Sequence, residues 1–176
     1  MHVFVLAGGN SSRMGKDKAI MFDAVRNLQI MMEGRENLRT VVLCGPLERT
    51  SLFEGEVWPD PPGCNGLLDV VKWARMRAED DVLLVACDTF CINREGISWL
   101  LEHVHQGGVA VDSNGRRQPT VAVMPKHVEL PFDALNLRTY TERLPSLHHP
   151  QGGALFDNFN TPDDLERLNG RRARER

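Results

Sequence analysis

Short apolar runs alternate along the chain with longer segments in which apolar residues recur at helical spacing. The short runs are rich in β-branched and aromatic residues, which is typical of buried strands. We predict four such strands, at residues 3–6, 40–44, 56–58 and 81–86. We predict helices between and after them, at residues 23–33, 47–53, 67–79 and 94–106. Strands that alternate with helices indicate an α/β protein with a mostly parallel sheet and helices on both faces.

The later part of the chain predicts an antiparallel hairpin followed by less regular segments. Two β-rich runs, at residues 108–111 and 119–124, flank an Asn-Gly turn, which favours a hairpin. We predict a helix at residues 131–140 and a loop at residues 144–153. A further helix begins at Thr161, where threonine, proline and two acidic residues form a typical helix start.

Size and composition suit one ordinary globular domain. The chain has 176 residues, of which 41% are hydrophobic and 26% are charged. We expect one domain over residues 1–170 and a frayed basic tail over residues 171–176. The net charge of −3 gives no electrostatic reason to expect nucleic acid as a partner. The N-terminal apolar run is too short for a signal peptide or a membrane span, so we expect a cytoplasmic protein that does not contact membranes.

The residues after the first strand have the composition of a phosphate-binding loop. Two glycines, two serines and a third glycine lie close to Arg13 and Lys18. Glycine lets backbone N–H groups approach an anion, while hydroxyl groups and cations add donors and charge. Five residues separate Gly9 from Gly15, whereas the Walker A pattern needs four, and the spacing does not fit the dinucleotide fingerprint either. A turn that binds nothing remains an alternative.

The segment from Leu6 to Ala19 resembles the signature loop of molybdenum cofactor guanylyltransferases (MobA-type), Leu-Ala-Gly-Gly-x-Ser-x-Arg-Met-Gly-x-Asp-Lys-Ala. The resemblance implies a Rossmann-like nucleotidyltransferase domain. It also implies Mg²⁺-dependent transfer of GMP from GTP onto molybdopterin, with release of pyrophosphate. The nucleotide-binding residues it implies in this loop are Leu6, Ala7, Gly8, Gly9, Ser11, Ser12, Arg13, Met14, Gly15 and Lys18.

Two further segments resemble motifs of the same family. Cys87-Asp88 resembles a Cys-Asp-x-Pro motif whose aspartate binds the metal, which implies that Asp88 is the Mg²⁺ ligand. An unpaired carboxylate is costly at the end of so hydrophobic a strand, although a turn or helix cap would also explain it. Residues 158–165 resemble Asn-Ile-Asn-Thr-Pro-Glu-Asp-Leu, which implies that Asn158 and Asn160 approach the acceptor.

Asp60 corresponds to the family aspartate beside the nucleoside. A carboxylate there can accept hydrogen bonds from guanine N1–H and N2–H or from ribose hydroxyls. An Asp-Pro turn explains this residue equally well. The resemblance implies that catalysis depends on Lys18, Arg13 and Asp88. We expect Lys18 and Asp88 on opposite sides of the metal, so that charge on pyrophosphate is met from two directions.

Two departures from the family pattern leave alternatives open. Residues 62–66 replace a Gly-Pro-Leu-Ala-Gly segment, and Phe90 replaces the proline after Cys-Asp-x. The alternatives are a cytidylyltransferase or another small nucleotidyltransferase, and a nucleotide- or cofactor-binding relative without turnover. The expected partners are GTP and molybdopterin, with proteins that deliver molybdopterin or molybdoenzymes as further candidates.

Overall fold

A computed structural model describes residues 1–9, 17–159, 161, 163, 164 and 166. Within these residues seven strands form one sheet in the order β3-β2-β1-β4-β6-β5-β7. The strands are β1 (His2–Leu6), β2 (Arg39–Gly45), β3 (Glu56–Pro59), β4 (Val82–Ala86), β5 (Gly108–Val111), β6 (Arg117–Met124) and β7 (Ser146–Leu147). The α-helices are α1 (Ala24–Met32), α2 (Leu67–Ala78), α3 (Arg94–Glu102) and α4 (Leu137–Tyr140). Short 3₁₀ helices span Met21–Asp23, Leu47–Leu52 and Gly153–Phe156.

The predicted α/β architecture is confirmed. Strands β3, β2, β1 and β4 pair in parallel, while β6 runs antiparallel to both β4 and β5. The hairpin of β5 and β6 is therefore also confirmed. Alternate residues of β1 face opposite sides of the sheet: Val3 and Val5 pack with α1 and α3, whereas Phe4 and Leu6 pack with α2 and α4. Both faces are thus covered by helices, as a buried parallel sheet requires.

The prediction was wrong in the short elements of the second half. The predicted helix at residues 131–140 is helical only at Leu137–Tyr140, because the Asn136 side chain caps Thr139 N and starts the helix late. The predicted loop at residues 144–153 contains β7, and α3 ends at Glu102 rather than at 106. The predicted helix start at Thr161 is supported by reciprocal hydrogen bonds with Asp164.

The order of the strands creates a crevice between β1 and β4. After β1 the chain adds β2 and β3 on one side, then crosses to β4 on the other side of β1. Because α1 covers one face of the sheet and α2 the other, the connections diverge between these two strands. Ligands of open α/β sheets bind at such a switch point, outside the carboxyl ends of the strands.

Candidate nucleotide site

Strand register brings two of the predicted motifs to the same edge of the sheet. Leu6 is paired with Ala86, and Cys87 N donates a hydrogen bond to Leu6 O at 3.1 Å. Gly8 and Asp88 each follow this pair by two residues, so both emerge at the switch point. The sequence prediction that these segments line one cleft is consistent with this register.

The segment after β3 reaches the same edge, because Asp60 N donates to Gly45 O at 2.8 Å. A cleft of about 500 Å³ opens between these segments. The predicted site residues in its wall are Leu6, Gly8, Gly9, Lys18, Asp60, Asp88 and Asn158. Ala7 is buried behind the wall. The remaining predicted site residues, Ser11, Ser12, Arg13, Met14, Gly15 and Asn160, lie outside the described part of the chain.

Lys18 and Asp88 form an ion pair in the cleft although 70 positions separate them. The distance from Lys18 Nζ to Asp88 Oδ2 is 3.1 Å, and the two side chains are only 13% and 19% exposed. The direct contact differs from the expectation that a metal separates the two groups. It leaves a cation and a carboxylate side by side where a charged ligand would enter.

The second carboxylate oxygen of Asp88 makes this position suitable for a cation. Asp88 Oδ1 is buried and has no hydrogen-bond partner among the described residues, and a buried polar atom of this kind is costly unless something binds it. The described residues contain no group of three or more His, Cys, Asp or Glu side chains that could hold a metal. Mg²⁺ needs only one or two carboxylates when phosphate oxygens and water complete its shell, so the residues fit this ion.

The two adjacent glycines have different structural roles. A Cβ atom on Gly8 would lie 2.7 Å from Gly45 N and 2.8 Å from Gly45 Cα, so Gly8 allows the ends of β1 and β2 to approach. A Cβ atom on Gly9 would have no described heavy atom within 4 Å. Both glycines are exposed and line the cleft. Gly8 is therefore needed for the close approach of β1 and β2, whereas no described atom restricts a side chain at Gly9.

Asn158 is held in the cleft wall by the side chains of Gln118 in β6 and of Thr89 in the loop after β4. Its Nδ2 donates to Gln118 Oε1 at 2.8 Å, and its Oδ1 accepts from Thr89 Oγ1 at 3.2 Å. Phe159 N donates to Asp88 O at 3.3 Å, which ties the same segment to the Asp88 loop. Asn158 and Asp88 thus line the same cleft, on segments that a backbone hydrogen bond joins.

The thiol of Cys87 also lines the cleft. Burial, together with the nearby negative charge of Asp88, raises the pKa of Cys87 to about 12. Because the thiolate rather than the thiol is the nucleophile, this cysteine is protonated and inert near neutral pH. Its role in the wall is packing.

Asp60 follows β3, on the side of the cleft away from Asp88, and begins a loop whose hydrogen bonds are local. Its side chain is exposed, yet the walls around it raise the pKa of Asp60 through partial desolvation of its charge. The loop that follows it is held by local bonds: Cys64 N donates to Pro61 O and Asn65 N donates to Asp69 Oδ2. No described residue neutralises the carboxylate in the way that Lys18 neutralises Asp88.

Arg49 and Gly45 are two residues of this region that the sequence analysis missed. Arg49 donates to the backbone at the ends of β1 and β2 and pairs with Asp17, next to Lys18. Gly45 has a φ of +84° and packs against Gly8. The Gly-Pro step after β2 is a visible signal for Gly45, whereas nothing near Arg49 in the sequence indicates its partners.

Comparison with protein families identifies the class of protein. The family described as MobA-like NTP transferase domain matches residues 3–149. The chain belongs to this family. The match covers most of the chain and includes both Lys18 and Asp88. The chain is accordingly a member of a nucleotidyltransferase family. The fold class and the family resemblance inferred from the sequence are both confirmed.

Solved structures share the fold at low sequence identity. Molybdopterin-guanine dinucleotide biosynthesis protein A from Archaeoglobus fulgidus is 19% identical, with a TM-score of 0.71 over 99% of this chain and 100% of that chain. A 4-diphosphocytidyl-2C-methyl-D-erythritol synthase is 15% identical, with a TM-score of 0.65 over 95% and 96%. The corresponding synthase from Anaerococcus prevotii is 10% identical, with a TM-score of 0.58 over 96% of both chains.

No curated protein matches the sequence of this chain significantly. Among the described helices, none combines the length and the apolar character needed to cross a membrane.

Proposed function

We propose that this chain transfers GMP from GTP onto molybdopterin in a Mg²⁺-dependent reaction that releases pyrophosphate. The observation that carries the proposal is the Lys18–Asp88 pair beside Gly9, at the ends of β1 and β4. Its family supplies the reaction class, nucleotidyl transfer. The nucleotide and the acceptor are the proposed parts.

The chemistry requires positive charge where phosphates gather. A phosphate oxygen of the acceptor attacks the α-phosphorus of GTP, a new P–O bond forms, and the bond to the bridging oxygen of pyrophosphate breaks. Negative charge accumulates on the leaving group. Lys18 can neutralise this charge from the cleft wall, and the open backbone at Gly9 can approach a phosphate. Arg13 is proposed as a second cation from the same loop.

Asp88 would hold Mg²⁺ through its carboxylate. A bound Mg²⁺ supplies Lewis-acid neutralisation of phosphate oxygens. A triphosphate gives Lys18 an alternative anionic partner, which leaves both oxygens of Asp88 to a cation. Asn158 is proposed to contact the acceptor, because Gln118 and Thr89 fix it next to Asp88. Asn160 is proposed for the same side of the cleft.

Asp60 is proposed to recognise guanine. Its carboxylate can accept from both N1–H and N2–H of the base, whereas adenine offers a different pattern of donors. The raised pKa of Asp60 supports a ligand role, because an environment that disfavours a charge at a cleft is typical of functional carboxylates.

A cytidylyltransferase is the second candidate. Two observations favour it. Structures of 4-diphosphocytidyl-2C-methyl-D-erythritol synthases share the fold, and residues 62–66 depart from the pattern of the guanylyltransferases. Cytosine has an amino group that could donate a hydrogen bond to the carboxylate of Asp60. The base specificity therefore has to be measured.

Single-turnover release of pyrophosphate is the test. GTP, CTP, ATP and UTP are each offered with molybdopterin, across a Mg²⁺ titration, to the wild-type chain and to Lys18→Met. We expect release from GTP alone, dependent on Mg²⁺ and lost in Lys18→Met, while the exposed control Lys126→Met keeps the wild-type rate. Preference for CTP would establish the second candidate. Nucleotide binding without pyrophosphate release would overturn the catalytic proposal in favour of a binding protein.

A further inference from the structure

The Arg49 side chain joins three segments that surround the cleft. Its Nε donates to Cys44 O and one Nη donates to Ala7 O, both at 2.7 Å, while the other Nη pairs with Asp17 Oδ2. Cys44 and Ala7 stand at the ends of β2 and β1. Asp17 directly precedes Lys18. One guanidinium therefore contacts the ends of β1 and β2 and the residue before Lys18.

The contact is largely buried and geometrically specific. The side chains of Arg49 and Asp17 are only 19% and 21% exposed, so water screens the pair less than it would a surface pair. Three acceptors in fixed directions suit the planar fork of arginine, and the single ammonium of lysine cannot match them. Arg49 also donates to the backbone carbonyl groups of Cys44 and Ala7.

Asp17 transmits the contact to Lys18. Its Oδ1 accepts from Ala19 N at 3.0 Å, and its carbonyl accepts from Met21 N at 3.1 Å and from Ile20 N at 3.3 Å. These bonds form a tight turn with Lys18 as its second residue. The turn directs the Lys18 side chain toward Asp88, where the 3.1 Å ion pair is made.

We propose that Arg49 is a positioning residue for the phosphate-binding lysine, acting through Asp17. Arg49 does not line the cleft, so its effect on a nucleotide is indirect. This inference rests on the proposed function in one respect, the assignment of Lys18 to triphosphate. Arg49 should therefore matter for the phosphates of a nucleotide and not for its base.

The test separates positioning from folding and from the proposed reaction. Amide hydrogen exchange of the nucleotide-free protein reports the turn itself at Ala19, Ile20 and Met21. Calorimetry with Mg²⁺ then gives the ratio of affinities for GTP and GMP, in which contributions from base and ribose cancel. The variants are Arg49→Met, Arg49→Lys and Asp17→Asn. The control is Arg39→Met, which removes an arginine of β2 that pairs with Glu56; neither residue lines the cleft.

We expect Arg49→Met and Asp17→Asn to speed exchange in the turn and to lower the affinity ratio about tenfold or more, as expected for loss of a charged hydrogen bond. Arg39→Met should change neither the exchange nor the affinity ratio. Arg49→Lys should show the same changes as Arg49→Met. If Arg49→Met does not fold, Asp17→Asn decides the question alone.

Unchanged exchange in the turn would overturn the inference, and so would full rescue by Arg49→Lys, because charge alone would then suffice. Should the wild type bind no GTP, the proposed function fails, and the exchange data still decide whether Arg49 orders the turn.

Discussion

The two ends of the cleft differ in how firmly the fold holds their acidic residues. Asp88 follows the fully buried strand β4 and is paired with Lys18, whereas Asp60 is exposed on a loop with no described cation to neutralise it. Near Lys18, the segment from Leu6 to Ala19 matches the family signature closely. Near Asp60, residues 62–66 depart from the family pattern. Under the proposed function, charge chemistry belongs to residues held by the strands, and nucleotide choice belongs to a loop. Four predictions test this contrast, in order of decreasing expected effect.

The largest effect is expected from Asp88→Asn. Loss of the carboxylate should slow pyrophosphate release by about 10²–10³, because a preorganised charge contact contributes roughly 3–4 kcal/mol to transition-state stabilisation. The residual rate should no longer respond to added Mg²⁺. Single-turnover kinetics across a Mg²⁺ titration measures both effects, with the exposed control Asp133→Asn expected to behave as wild type. A wild-type Mg²⁺ response in Asp88→Asn would remove this residue as the ligand.

Asp60→Ala should act on nucleotide choice. If the carboxylate binds the guanine edge, its loss removes about 1.5–3 kcal/mol from GTP binding and little from ATP binding. Calorimetric affinities for the two nucleotides give the discrimination directly. An equal loss of affinity for GTP and ATP would indicate a ribose contact or a structural turn. Asp60 would then contribute nothing to the choice between the two bases.

The neighbouring glycines should respond in opposite ways to an added side chain. Gly9→Val should leave the free energy of unfolding nearly unchanged, because no heavy atom of the described residues lies within 4 Å of its Cβ position, and should lower GTP affinity by about 1–3 kcal/mol through a clash with the ligand. Gly8→Ala should instead lower the free energy of unfolding by a similar amount, since its Cβ would meet the Gly45 backbone. Urea unfolding and calorimetry on both variants provide the comparison. Normal GTP binding by Gly9→Val would contradict the phosphate-loop assignment.

The smallest effect is a pH dependence of stability at Asp60. Because its pKa is raised above the ordinary value of 3.8, the folded chain favours the protonated carboxyl. The stability that this group contributes is therefore present at acid pH and lost as the pH rises through the raised pKa. Asp60→Asn should gain stability relative to wild type over that rise, whereas Asp133→Asn should not. Urea unfolding at several pH values measures the difference; a constant difference would mean that Asp60 is not desolvated.

Much of this arrangement could be predicted from local sequence. The strands and the residues just after them, such as Gly9 and Asp88, carry a hydrophobic run followed by a polar motif, which is readable within a few positions. The long-range contacts could not be predicted in this way. Arg49 and Asp17 are 32 positions apart, and Asn158 and Gln118 are 40 apart, so no periodicity connects them.

Strand β7 was missed, and the length of α4 was overestimated, for a related reason. Strand β7 has two residues and α4 has four, too few for a hydrophobic period to develop. Strand β7 exists because it pairs with β5, a partner more than thirty positions earlier in the chain. Tertiary pairing, rather than intrinsic preference, decides such segments.

The local bonding of the loop after Asp60 has an evolutionary consequence. The described hydrogen bonds of residues 61–66 remain within that loop and the first turn of α2, so none of them connects the loop to the Lys18–Asp88 pair. Under the proposed function, mutations in this loop would change nucleotide binding with little effect on the groups that contact the phosphates. Such a layout would allow nucleotide preference to diverge among descendants of one ancestral transferase while the reaction itself is inherited.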